Sequence, residues 1–140
     1  MAGPLRPKSL LREANVTTSD AVGRFGCVQV SCADPERLAA FWGEILGVTV
    51  ADRFGEPAHY VNLEAAGPGA PQLCFQRVPE AKTVKNRVHP DIVVDDVDRA
   101  SARVESLGGR RRDDHDFHEY GFSWRRMADP EGNEFCLIYD

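Results

Sequence analysis

His89 and Asp91 stand two residues apart in "NRVHPDIVVDD". In an extended strand, residues i and i+2 share a face at about 7 Å spacing, so both side chains can reach one ligand. An imidazole is the most common general base near neutral pH, and a neighbouring carboxylate can orient it or bind the same molecule. The same pair could equally serve buried polar groups elsewhere in the fold, and the motif by itself leaves both roles open. A second histidine pair, His115 and His118, lies in "RRRDDHDFHEYG". On a helix that spacing would suit a metal, but the flanking acids and Gly121 predict a loop, read as a solvated lid over a cavity. The four cysteines are Cys27, Cys32, Cys74 and Cys136. The opening residues show no apolar signal-peptide core, so a cytoplasmic setting is expected, and the cysteines read as thiols or ligands, not disulfides. There is no Ser–His–Asp set, and "AAGPGAP" lacks the Lys-Ser/Thr ending of a phosphate loop.

The elements that would position these residues belong to a chain of 140 residues, 42% hydrophobic and 28% charged, with a net charge of −5. That length suits a single domain with a sizeable core. The acidic balance argues against nucleic acid as a partner. No apolar run is long enough to span a bilayer. The expected partner is a small molecule, with a homodimer left open. Residues 1–24 are polar and contain Pro and Thr, and are read as a mobile arm with one short helical turn.

After the arm, "CVQVSC" alternates as a strand with one apolar face. Asp34 is placed as a helix N-cap and Pro35 at the first helical position. Leu38, Phe41, Trp42 and Ile45 follow at amphipathic helix spacing, which makes Trp42 a core residue, and Gly47 ends the helix. Strands are predicted around 48–53, 59–64 and 72–76, the last two joined through "AAGPGAP". The second half repeats this order. "VHPDIVV" is a strand, Asp96 caps a helix through Leu107, and strands are expected near 110–113, 122–127 and 134–139. Sliding the chain on itself by 62 positions places Asp34 on Asp96, Gly47 on Gly109 and Cys74 on Cys136 without a gap. Helix caps, helix ends and last strands coincide, so the chain reads as two tandem βαβββ modules, of about 25–80 and 86–140, within one domain at 25–140.

Parity then sorts the side chains. Val88, Pro90, Ile92 and Val94 should face a helix, leaving His89, Asp91 and Val93 on the opposite side. Gln29 shares that side in the first module, continued by Gln72, Cys74 and Gln76 and by Tyr60 and Asn62. Cysteine, tyrosine and histidine are unusual on a fully wet face, which favours a lined cavity. The same shift matches Trp124 and Arg126 to Asn62 and Glu64, giving a stacking wall and an anion clamp. Substrate contacts are therefore expected from Gln29, Tyr60, Asn62, Gln72, His89, Asp91, Trp124 and Arg126.

The motifs "DPERLAAFWGEILG", "HPDIVVDDVDRASARVESLGG" and "DPEGNEFCLI" resemble the vicinal oxygen chelate superfamily, in its glyoxalase-like, bleomycin-resistance-like branch. The resemblance runs from about Phe25 to Tyr139. It implies an α+β fold in which two βαβββ modules form a curved, barrel-like mixed sheet with helices outside. It also implies either a lyase or isomerase, with His89 as the catalytic polar or acid–base residue, or a metal-free sequestering protein. In metal-dependent members each module supplies one ligand from its first strand and one from its last. The matching positions here are Cys27, Cys74, His89 and Cys136. Only His89 is a usual ligand type, both expected glutamates are absent, and Glu134 falls one residue pair away on the same face. Three thiols and an imidazole would suit tetrahedral zinc. The alternative is that the cysteines are small buried hydrophobes. The expectation is substoichiometric metal, and no cofactor is assigned.

Overall fold

A computed structural model describes residues 20–140. Most of the arm, with its expected helical turn, lies outside the described residues. Described residues 20–24 form no strand or helix and are exposed.

The first module runs β1 (Cys27–Cys32), α1 (Pro35–Leu46), β2 (Val50–Phe54), β3 (Tyr60–Leu63) and β4 (Gln72–Arg77). Its sheet has the order β1-β4-β3-β2, with β1 and β4 parallel and the other pairs antiparallel. α1 starts where its chemistry requires. The Asp34 side chain accepts from the Arg37 backbone N–H at 3.1 Å, Pro35 fills the first turn, and Gly47 takes the left-handed conformation at φ 67°. Leu38, Phe41 and Trp42 are buried on α1, and Val61, Leu63 and Phe75 are buried on the sheet. Burial of each such side chain stabilises by about 1.5–3 kcal/mol. Trp42 is 3% exposed, a core residue as its spacing predicts.

The second module runs β5 (Asp91–Val93), α2 (Val97–Ser106), β6 (Arg110–Arg111), β7 (Phe117–Glu119), β8 (Phe122–Ala128) and β9 (Glu134–Tyr139). Its sheet order, β5-β9-β8-β6, repeats that of the first, with β7 added against β8. Asp96 caps α2 by accepting from the Arg99 N–H at 3.0 Å. The class is therefore α+β with two βαβββ units, each built on its own mixed sheet.

The repeat holds in register as well as order. Gln29 pairs with Cys74 and Asp91 with Cys136, the same match moved by 62 positions. At β8 the offset changes. Tyr60 faces Gln76 and Trp124 faces Ile138, while Asn62 faces Cys74 and Arg126 faces Cys136. Trp124 is thus the counterpart of Tyr60, and Arg126 of Asn62, an offset of 64. The two-residue difference preserves parity, so the face assigned to both side chains is unchanged.

Three local readings are corrected. The strand read into "VHPDIVV" begins only at Asp91, so His89 precedes it, and Val88 is 79% exposed instead of facing a helix. The cause is local: Pro90 has no N–H to give a ladder, although its carbonyl accepts from the Cys136 N–H at 3.0 Å. The loop assigned to 115–121 contains β7, paired Phe117–Trp124 and Glu119–Phe122. Cys27 is exposed, unlike the buried Cys74 and Cys136.

Candidate functional site

In the second module β5 lies beside β9, and Asp91 and Cys136 are register partners. Partners across a ladder point to the same side. Glu134, Cys136 and Ile138 therefore share the face of Asp91, and Trp124 and Arg126 join them from β8. Just before β5, the His89 ring turns back onto its neighbour, with Nδ1 3.4 Å from an Asp91 carboxylate oxygen. The expected separation of the two groups is thus closed by side-chain reach, and both remain partly exposed.

These residues line a pocket of about 470 Å³. Its aromatic wall comes from β7 and β8. The Phe117 and Trp124 rings stack at 5.4 Å between centroids and 10° between planes. β7 is held against β8 by the tight Tyr120-Gly121 turn, whose φ values are 49° and 80°. Two successive positive φ values belong to the hairpin turns that match strand twist. Phe122, Tyr120 and Ile138 extend the apolar lining.

Arg126 also lines the pocket, but its guanidinium is already engaged. Nε and Nη2 both donate to the Asp113 carboxylate at 2.7 Å. The guanidinium carbon sits 5.3 Å from the Phe117 ring centroid. Those Arg126 hydrogen bonds hold the Asp113 carboxyl below the usual range, against the opposing effect of its burial. The predicted clamp is therefore a fixed cation whose remaining N–H groups are available to a ligand.

Behind this wall is a set of residues that the sequence reading missed. Arg125 is 7% exposed and points away from the pocket. Its Nε donates to Asp116 at 2.7 Å and its Nη2 to Asp98 at 3.0 Å. Tyr139 donates its hydroxyl to the same Asp116, and Arg111 donates from a third direction at 2.8 Å. The Arg125 hydrogen bonds lead in pulling the Asp116 carboxyl down to about 2, despite burial. Burial first, then Asp116, pushes the Tyr139 phenol up to about 12. Asp116 adjoins Phe117, so this network fixes the strand that carries the stacked wall.

The donors beside the aromatic wall can be tested against a metal. One ligand atom each from His89, Asp91 and Cys136 lies within 4.8 Å of the others. Imidazole nitrogen, carboxylate oxygen and thiolate sulfur are all zinc ligands, whereas the sulfur is poorly suited to hard ions such as magnesium. The set fits zinc, which would supply Lewis-acid polarisation of a ligand oxygen. Burial, and then the Asp91 charge, pushes the Cys136 thiol up to about 11, so it is protonated at neutral pH. In the first module, burial and then Cys27 push Cys74 to about 11 as well.

The remaining predicted contacts lie on the first module's sheet, on the face that register gives to Cys27 and Cys74. Gln29 is exposed, with Nε2 3.9 Å from the Cys27 sulfur. Gln72 donates to the Leu63 carbonyl at 3.2 Å. Tyr60 packs edge-on against His59 at 4.7 Å. Asn62 keeps a buried Oδ1 without a hydrogen-bond partner. The other histidine pair is exposed: His118 Nδ1 pairs with the Ser123 hydroxyl at 2.8 Å, and His115 Nδ1 lies 2.8 Å from Asp114.

The profile of the glyoxalase-like domain family matches residues 27–138, nearly all of the described chain. The chain belongs to the glyoxalase-like domain family. With it comes membership of the vicinal oxygen chelate superfamily, and the similar solved structures agree in fold. A glyoxalase/bleomycin resistance protein/dioxygenase family enzyme from Burkholderia phytofirmans superposes with TM-score 0.69 at 16% identity, over 84% of this chain and 98% of that one. A glyoxalase family protein from Bacillus cereus gives 0.66 at 13% identity, over 89% and 98%. The genomically encoded fosfomycin resistance protein of Listeria monocytogenes gives 0.65 at 13% identity, over 86% and 95%. A sequence comparison with curated proteins finds no match. Among the described residues of this glyoxalase-like chain, no helix is long and apolar enough to cross a membrane.

Proposed function

We propose that the second module's pocket binds a small organic molecule with a planar ring, and that His89 acts on it as the acid–base residue of an isomerase- or lyase-type reaction. The observation that carries this reading is the adjacency of the stacked Phe117–Trp124 wall and the His89–Asp91 pair in one pocket. Stacking orients a ring, which is the positioning such chemistry needs. Nδ1 lies toward Asp91, which leaves Nε2 as the nitrogen that takes a proton from a carbon acid. The proton returns to a second carbon in an isomerisation, or leaves with the departing group in an elimination. The Arg126 cation stabilises negative charge developing on a ligand oxygen. The protonated Cys136 thiol is a weak hydrogen-bond donor here and not a nucleophile.

A second reading, sequestration without turnover, is favoured by the aromatic wall alone, because binding requires only shape and a few hydrogen bonds. The test is to find ring-bearing ligands by quenching of Trp124 fluorescence and to follow each by NMR for chemical change. Turnover that falls roughly 100-fold or more in His89→Ala, with binding retained, supports the acid–base role. Tight binding with no chemical change for any ligand supports sequestration. Ligands that bind without perturbing Trp124 overturn both readings.

A further inference from the structure

The second module has another hollow, of about 290 Å³, which shares Lys85 and Glu134 with the aromatic pocket. Lys82, Lys85, Arg110 and Arg112 line it, against only two carboxylates, Glu131 and Glu134. In a chain of net charge −5, four cations around one concavity invert the local field.

The buried Glu134 organises part of this set. It accepts from Lys82 Nζ at 3.1 Å and from the Asn86 backbone N–H at 3.0 Å, and Arg112 lies 3.9 Å away. Its charge is therefore balanced from within the protein. Lys85 and Arg110 form no ion pair among the described residues. Gly132, at φ 87°, forms part of the rim, and the Arg110 guanidinium lies 3.7 Å from the point where a β-carbon would stand.

We propose that this hollow is an oxyanion subsite for a phosphate-type group, with Lys85 and Arg110 as its primary cations and Arg112 as support. Guanidinium forks match tetrahedral oxyanions, and two uncommitted cations match a dianion better than a single carboxylate. The ligand class assigned is a phosphate or phosphate monoester whose oxyanion lies beside Arg110; Arg110 pairs opposite Ala128, four residues along β8 from Trp124, so the subsite is separate from the aromatic wall. The assignment stands on the hollow alone and is independent of the small-molecule reading above.

The test titrates inorganic phosphate into the full chain at ionic strength held constant with sodium chloride, followed by amide NMR shifts. Saturable shifts at Lys85 and Gly132 are expected, weakened at least tenfold in Arg110→Gln and, independently, in Lys85→Gln. Trp124→Ala should leave the phosphate affinity unchanged, since Trp124 lies four residues along β8 from Ala128, the partner of Arg110. No saturable shift beyond that of chloride overturns the oxyanion subsite, even where a neutral phenol still reaches Trp124. Phosphate shifts that persist undiminished in both Arg110→Gln and Lys85→Gln also overturn it.

Discussion

At the scale of single residues, His89 owes its place in the pocket to lying outside the strand. Its side chain is 42% exposed and fills no core space. His89→Ala should therefore shift stability by no more than about 0.5 kcal/mol, while weakening ligand binding or turnover. Thermal unfolding and ligand affinity measured on the same preparation check this; collapse of stability with unchanged affinity would make His89 a structural hydrogen-bonder. Cys136 sets a different condition. With its thiol near 11, zinc must displace a proton held about four pH units above neutrality, an opposing cost of roughly 5 kcal/mol at pH 7. Zinc affinity should rise about tenfold per pH unit through the neutral range as the Cys136 proton is displaced, and Cys136→Ser should remove that slope. Calorimetric titrations at several pH values test it, and a flat profile in the wild-type chain would mean that the thiol is not a ligand.

At the scale of elements, β8 presents two arginines to opposite sides, and the buried one is the stronger structural commitment. Arg125→Met should destabilise by roughly 3 kcal/mol, because Asp116 would keep a buried charge with fewer partners. Chemical denaturation measures the loss, and a change under about 1 kcal/mol would show that Arg111 and Tyr139 suffice. Acid gives a second handle. Asp116 is depressed in the folded state, so its contribution is fully present above the unfolded carboxylate value near 4. It is lost as pH falls toward about 2, a span worth about 2 kcal/mol. Stability should drop across that window, and the Asp116→Asn variant should show a shallower drop.

The same elements show what could be read in advance. Both helices were legible because an N-cap is a local event: Asp34 and Asp96 each accept from the backbone N–H three residues on, whatever lies beyond. β7 was not, since two acids and two histidines masked a short strand. "EYGF" held the signal, a residue-glycine hairpin turn between apolar positions. Arg125 could not be assigned from periodicity, because a buried cation resembles an exposed one until Asp98 and Asp116 are brought to it by the fold. His89 and Asp91 were legible as a pair through parity, but their contact depended on Pro90 ending the strand.

At the scale of the whole molecule, the repeat was visible because identities at 62 coincided with helix caps, and the two extra positions before β8 were invisible because they leave parity intact. The modules share a topology but differ in content. The face that holds Tyr60 and Asn62 in one holds Trp124 and Arg126 in the other, so the aromatic wall is a property of the second module. Each module is a single helix packed on one side of a small sheet, and at roughly 60 residues such a unit is only marginally stable alone. We therefore expect residues 25–140 to unfold as one domain. Trp42 and Trp124, one in each module, allow a direct test. In a chain labelled with 5-fluorotryptophan, two fluorine resonances report the modules separately through a denaturant titration. Coincident midpoints and slopes are the expected result, since a shared cooperative transition links both signals. Midpoints that separate, with one resonance native while the other is already unfolded, would show two independently stable units and would confine the pocket's stability to the second module.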